Sequence, residues 1–384
     1  MRAYLCGGTV LKVDEHWDKS LPNLLAEAGL KALDSSGISY VDHIYVANVY
    51  GEVLQEQANL GSLIAEELGL RSIAATRVEA GGASGLAAVY AGCLAVSSGL
   101  ANAVLVVGAE KMSDGTVEEA ASLLTMEERQ DYVGYLGVSQ LAEAALLYKE
   151  YVKRYRISND DVAYFPVICH ENSSTAPHAQ YQFKISLETV VNSPYVAEPL
   201  HRLETTAPAD GAAAILVVSE ELGKRVKEPK CVLTGIGFAS DFITAFDRED
   251  PLEMRALADA GRRAIEMAGL QPSEIDFAEL HDSYSVMAPL SLEALGIVAK
   301  GQACLQARKG RFSLSGDIPI NTFGGLKGRG YPVGASGVYA VVEAFMQLTD
   351  NASKNQVARA DVGLVESLSG LASYAGVAVL ERLR

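Results

Sequence analysis

The chain repeats itself, and the repeat constrains its fold more than any other feature does. Leu25-Ala26-Glu27-Ala28-Gly29 returns as Leu257-Ala258-Asp259-Ala260-Gly261. At equal distance after each stands a glycine, Gly37 or Gly269, followed by an acid-containing strand pattern at 41–46 and at 275–280. Further on, Gly82-Ala83-Ser84-Gly85 returns as Gly334-Ala335-Ser336-Gly337, each opening a run of small and apolar residues that leads to a strand, 104–107 or 362–365. Two matches in the same order point to duplication of a helix-strand-helix-strand unit. Alternating helices and strands predict mostly parallel sheets covered by helices. The two helices that begin at the repeated glycine turns are apolar all round, so they are expected to pack together in the middle, where small residues permit close approach.

Between the halves the texture changes to polar, tyrosine-rich and irregular, which reads as an insertion. The strand at 211–218, reached through Asp210, is predicted to be the last strand of the first half. The expected organisation is a first half of 1–115 plus 198–222, a loop domain at 116–197 set inside it, and a second half at 230–384. Long insertions at strand ends commonly shape ligand sites. Residues 80–109 carry no charge, yet Ser97, Ser98, Gly99 and Asn102 divide them into a helix at 84–96 and a strand at 103–107, so they read as core and not as a membrane span. A formal net charge of -16 opposes nonspecific binding to nucleic acid or anionic membrane. Five cysteines without a C-x-x-C pair give neither a disulfide framework nor a cysteine zinc site, and the opening residues lack a secretory pattern, so a reducing cytoplasm is the expected setting.

No phosphate loop, dinucleotide fingerprint, nucleophile elbow or H-E-x-x-H motif is present. Three turns remain as candidates for chemistry: 77–85 around Gly82, Glu279-Leu280-His281-Asp282-Ser283-Tyr284-Ser285, and Asn321 through Gly334 around Gly330-Tyr331-Pro332. With Glu15-His16-Trp17-Asp18-Lys19-Ser20-Leu21, the stretch at 191–200 and the glycine-rich stretch at 324–337, these turns resemble the thiolase superfamily over essentially the whole chain. The likeness is strongest to archaeal thiolases and to the thiolase domain of sterol carrier proteins. It implies an α/β fold of two similar halves in five layers, αβαβα, with a loop domain inserted in the first half. It also implies a homodimer and a coenzyme A thioester as substrate, with no permanently bound cofactor and no metal.

The chain departs from that family where the chemistry resides. Gly82 stands where the family carries a nucleophilic cysteine at the head of the buried helix, a place where free amides and the helix dipole favour a thiolate. Tyr331 stands where a Gly-His-Pro motif supplies the activating histidine. Ser283 follows His281-Asp282 where relatives place a second cysteine, and Ser367-Leu368-Ser369-Gly370 offers none either. Cys93 lies about 13 Å along the helix from Ser84, at 1.5 Å per residue, too far to substitute, and Cys169 belongs to the insertion.

Two histories fit these losses: a silent subunit that keeps the shape to bind acyl-CoA or a partner protein, or a site rebuilt for thioester chemistry without a covalent intermediate. Tyr331 favours the second, because a phenol keeps an ionisable group where proton transfer is needed. As a base at neutral pH it requires something to lower its reference pKa near 10. The chemistry that fits is aldol cleavage or its reverse: Tyr331 and Tyr284 exchange protons, His281 donates to the enolate oxygen, and Gly82 offers space and a backbone N–H. The resemblance extends to thiolase-like aldolases of steroid side-chain degradation, which use tyrosines and work with a zinc-ribbon and oligonucleotide-fold partner, so a similar partner is expected. Lys153, Arg154 and Arg156, beside Lys149 and interleaved with Tyr151 and Tyr155, are candidates for the coenzyme A phosphates or else a solvated helix face. An ordinary acetyl-CoA acetyltransferase is the third reading, favoured by overall similarity and opposed by Gly82.

Overall fold

The duplication is visible in the order of the strands. The computed structural model describes residues 3–227 and 229–383. The first half supplies β1 (Ala3–Val10), β2 (His43–Ala47), β3 (Ala74–Val78) and β4 (Ala103–Glu110). After a long insertion, which holds the small hairpin β5 (Tyr195–Ala197) and β6 (Leu200–His201), comes β7 (Gly211–Val218). The second half supplies β8 (Lys230–Ser240), β9 (Phe277–Glu279), β10 (Val362–Ser369) and β11 (Tyr374–Arg382). Nine of these strands are hydrogen-bonded in the order β3-β2-β4-β7-β1-β8-β11-β10-β9, so the two halves meet at β1 and β8 and each runs outward in the same sequence. A counterpart of β3 survives in the second half only as a parallel bridge between Ala278 and Ile320.

The expectation of mostly parallel sheets is corrected. Of the eight pairings in this sheet only β2–β3, β2–β4 and β9–β10 are parallel. Parallel neighbours need a crossover, and these are the strands joined by helices over a face. β10 and β11 are joined by a short turn and must run antiparallel.

The repeated glycines have a physical task. Gly37 and Gly269 end the helices Leu21–Ser36 and Arg255–Ala268 in the left-handed conformation, with φ of 67° and 75°, where a side chain would be strained. Those two helices cover the outer faces of the two half-sheets, while Ser84–Ser97 and Ser336–Leu348 lie between the halves, giving the five layers. The central pair touches backbone to backbone. A Cβ on Gly85 would sit 2.5 Å from the Val338 nitrogen, and one on Gly337 would run into the Leu86 nitrogen.

The insertion leaves β4 and returns to β7, and its root is tied by a buried ion pair. Asp210 accepts from Lys111 Nζ at 2.9 Å and from the backbone nitrogens of Ser113 and His16, both at 2.8 Å. Such a pair holds the loops at one register, since removing either partner would strand a buried charge. Among the described residues no helix is long and apolar enough to cross a membrane.

Candidate active site

The three turns read from the sequence converge at the ends of β3, β9 and the approach to the helix Ser336–Leu348. Residues 205–209 stitch two of them together. Thr206 N donates to Ser283 O at 3.2 Å and Ala209 N to Tyr331 O at 3.0 Å, with bridges between Thr205 and Tyr284 and between Pro208 and Tyr331.

Gly82 lies at the centre. A Cβ built on it would stand 2.5 Å from Leu368 O, 2.9 Å from the Tyr331 hydroxyl and 3.0 Å from His281 Cε1. A side chain at 82 would thus press on the phenol and, more closely still, on the Leu368 carbonyl. Ser84 fixes the turn, donating to Gly81 O at 2.6 Å and accepting from Ala80 N at 2.8 Å, and Ser367 Oγ donates to Gly82 O at 3.1 Å.

Tyr331 and His281 meet edge to face, centroids 5.6 Å apart at 89°. Both are buried. Burial, followed by Arg329, pushes the imidazole down to about 3, so His281 is neutral at physiological pH. It does not line the large cavity described below; it faces a void of about 10 Å³ behind the glycine turn, with Glu366 holding its backbone N–H at 3.2 Å. Tyr331 goes against expectation. Burial, then Glu127, Tyr284 and Glu110, push its phenol well above the ordinary tyrosine value, the reverse of what a free-standing base requires.

Glu127 stands in no motif legible from the sequence. Its carboxylate sits in the amide pocket beside Gly82: Gly370 N donates to Oε2 at 2.5 Å, Ser369 Oγ at 3.2 Å, and the Gly82 N–H holds the same group. Tyr50 OH approaches Oε1 at 3.4 Å. Two backbone amides and a hydroxyl are the donors that would hold an oxyanion, and here the chain's own carboxylate has them. Its burial arises from the docking of the insertion against the β10–β11 turn.

Tyr331 and Tyr284 line one cavity of about 730 Å³, walled also by Leu124, Leu141, Leu203 and Pro208 and by the aromatic rings of Trp17, Tyr181 and Phe183. Tyr284 OH donates to Gln140 Oε1 at 3.1 Å, and burial raises its phenol too. The basic groups of the wall are Lys327 and Arg202. Lys327 Nζ donates to Thr205 O at 2.7 Å, and burial brings its ammonium down to about 8. Its place inside a buried glycine motif was a signal in the sequence.

Lys153, Arg154 and Arg156 lie elsewhere, at the end of the helix Gln140–Tyr155, and none lines the cavity. Arg154 is engaged with Glu150 at 2.8 Å and Asp250 at 2.6 Å, and Arg156 is the left-handed cap of the helix. These three side chains thus stand away from the cavity, whose own basic groups are Lys327 and Arg202. All five cysteines are buried, and burial raises the thiol of each.

The comparisons with known proteins agree with this architecture. Residues 12–221 match the family model for the thiolase N-terminal domain and 237–382 that for the thiolase C-terminal domain-like family. The acetyl-CoA acetyltransferase of Methanothermobacter thermautotrophicus is 35% identical over 98% of both chains. Sterol carrier protein 2 of Rattus norvegicus is 32% identical over 91% of this chain and 66% of that one. Among solved structures, the Ltp2-ChsH2(DUF35) aldolase superposes with a TM-score of 0.86 at 24% identity, covering 99% of this chain and 97% of that one. Human mitochondrial 3-ketoacyl-CoA thiolase does so with a TM-score of 0.76 at 15% identity, covering 100% and 99%. The chain belongs to the thiolase superfamily, alongside the sterol-carrier-protein thiolases.

Proposed function

We propose that this protein makes or breaks the carbon-carbon bond beta to a coenzyme A thioester by aldol chemistry, without a covalent enzyme intermediate. The observation that carries this reading is the Tyr331 hydroxyl standing where a side chain at Gly82 would project, 2.9 Å from its Cβ position. No nucleophile fits that place, and a proton donor fills it.

A β-hydroxyacyl thioester lies in the cavity with its hydroxyl toward Tyr331. That hydroxyl gives its proton to the Tyr331 oxygen as the phenol passes its own on to a neighbouring carboxylate, the bond between the α- and β-carbons breaks, and a carbonyl compound departs from an acyl-CoA enolate. Tyr284, on the same wall, protonates the enolate carbon. The raised phenols suit donation and shared protons better than a standing phenolate. Lys327 and Arg202 face the anionic or carbonyl parts of the ligand. Coenzyme A enters only as part of the substrate.

The named aldolase of this fold is a complex with a DUF35 protein. By kinship we assign this chain a zinc-ribbon and oligonucleotide-fold partner, a homodimer and a cytoplasmic setting. A second reading rests on the archaeal relatives named acetyl-CoA acetyltransferase. One experiment separates the two. The purified chain is given 3-hydroxyacyl-CoA thioesters of graded chain length and branching, alone and with such a partner, and the release of carbonyl compound is followed. Cleavage supports the lyase. Conversion of acetoacetyl-CoA and CoA into acetyl-CoA, or an acyl group covalently retained on the chain, overturns it, and binding without any turnover leaves a silent subunit.

A further inference from the structure

We infer that Glu127 is the proton acceptor that works through Tyr331, a positioning residue for the lyase reading on which this inference rests. Glu127 sits against the glycine turn: its Oε2 lies 2.8 Å from a Cβ position on Gly81, while the Tyr331 hydroxyl lies 2.9 Å from that on Gly82. The carboxylate and the phenol thus flank two consecutive residues of one turn without a direct hydrogen bond between them, so the proton passes through an intervening water. Glu127 does not line the cavity; Tyr331 does. The Tyr331 hydroxyl, beside Gly82, offers a path from the cavity to Glu127.

Charge conservation argues for the relay. A phenolate formed at Tyr331 beside an ionised Glu127 would put two negative charges in a buried site, where each strongly opposes the other. If the phenol passes its proton to Glu127 as it takes one from the substrate hydroxyl, the single negative charge moves from Glu127 to the substrate. The alkoxide electrons form the new carbonyl, the carbon-carbon bond pair becomes the enolate, and the enolate carbon takes the Tyr284 proton. The cycle closes when the proton on Glu127 and the charge on Tyr284 are exchanged through water.

The donors around Glu127 suit this work. Burial raises the Glu127 carboxyl above the ordinary glutamate value, against Gly370 N–H, Gly82 N–H and Ser369 Oγ, which hold its anion, so it takes up a proton more readily than an exposed glutamate. The titratable groups facing it are Glu79 from the turn after β3, Tyr50 beyond β2, Glu110 at the end of β4, the neighbouring Glu128, and Tyr284, Tyr331 and His281 from the facing turns. Acids predominate, so a proton is retained within the cluster. Glu110 is tied to the Val49 backbone, Glu128 faces Glu143 and Glu79 takes the Gly81 N–H at 2.6 Å, while Glu127 is the carboxylate that holds the Gly82 and Gly370 amides.

The test uses the full chain and Glu127→Gln, which keeps the shape and can still accept from Gly370 and Ser369. With Tyr ring carbons labelled and the Tyr331 signal assigned from Tyr331→Phe, the Tyr331 titration midpoint is expected to fall by at least about one pH unit in Glu127→Gln. An unchanged midpoint overturns the inference. With a 3-hydroxyacyl-CoA that the wild type cleaves, Glu127→Gln is expected to lose about 100-fold or more in kcat, with KM nearly constant and the acid limb of the pH profile gone, and Glu127→Asp to restore part of both. Wild-type kcat and an intact acid limb in Glu127→Gln overturn it. A wild type that cleaves none of the thioesters while the midpoint still falls sinks the lyase reading and leaves the Glu127–Tyr331 coupling supported.

Discussion

The two glycine turns that open the buried helices have the same four residues and different surroundings. At Gly334, a Cβ would meet Val49 Cγ2 at 2.9 Å and Glu110 Oε1 at 3.0 Å, and Glu110 is itself tied to the backbone of Val49 and Tyr50. That turn is closed by structure. At Gly82 the neighbours are a phenol, an imidazole and, through the backbone N–H, a carboxylate. The duplicated chain has two equivalent helix heads, and residues from other parts of the chain surround one of them with ionisable groups: Tyr331 from the opposite half and Glu127 from the insertion. A repeat fixes where a site can be, and the segments that dock on it decide what it does.

The largest expected effect breaks the Gly82 side. Tyr331→Phe removes the hydroxyl that fills the space at 82 and should lower the rate of carbon-carbon cleavage by about 100-fold or more, with an unchanged melting temperature, in a coupled assay for the released carbonyl compound. Retained activity would relocate the proton transfer to Tyr284 or Lys327. Restoring the lost nucleophile sharpens the contrast further. Gly82→Cys drives a side chain against the Leu368 carbonyl and the Tyr331 hydroxyl, an overpacking that costs about 1–3 kcal/mol. Adding Tyr331→His relieves the second clash and supplies a base, yet no acyl-enzyme should form while Glu127 holds the Gly82 and Gly370 amides. Mass spectrometry after incubation with acetyl-CoA checks this. An adduct on the double variant would show that the carboxylate yields its place readily.

The other turn should respond differently. Gly334→Ala presses on Val49 and Glu110, so a loss of about 1–2 kcal/mol in denaturant unfolding is expected, with kcat per folded molecule retained. A fall in kcat at constant stability would mean that both turns take part in the chemistry.

Much of this contrast was legible in the sequence. The repeated pentapeptides, the capping glycines, the apolar helix heads and the strand at 211–218 are set by local periodicity and backbone conformation, which a sequence displays directly. Gly82, His281, Tyr284 and Tyr331 were found because they stand inside motifs, and the structure brings them together, although His281 lies behind the glycine turn and not on the cavity. Glu127 was invisible because a glutamate's burial depends on where an irregular loop docks. The basic residues Lys153, Arg154 and Arg156 were left open between a ligand and a solvated face for the same reason: charge at a helix end reads alike whether it faces a ligand or, as for Arg154, Glu150 and Asp250. Strand direction was missed because alternation of elements does not reveal which connections cross a sheet face.

The smallest expected effect concerns what the halves share. Each ties the turn after a strand to its neighbour through a buried carboxyl: Glu110 holds Val49 N after β2, and Glu366 holds His281 N after β9. Burial raises both to about 8. In the unfolded chain a glutamate titrates near 4.3, so between those values the folded protein keeps a proton that the unfolded chain has released. Each carboxyl's stabilisation is therefore complete below about pH 4 and is lost as pH rises through about 8. His281, held down to about 3, works oppositely, losing stability as pH falls below the ordinary histidine value. Subtracting a variant isolates the carboxyl. The advantage of wild type over Glu366→Gln in urea unfolding should shrink steadily from pH 5 to pH 8, and by a similar amount for Glu110→Gln if the two halves use the same device. A difference that stays flat for Glu366 while sloping for Glu110 would mean that the Glu366 carboxyl is already ionised between His281 N–H and Ser291, and that the equivalence of the two halves ends one strand short of the active turn.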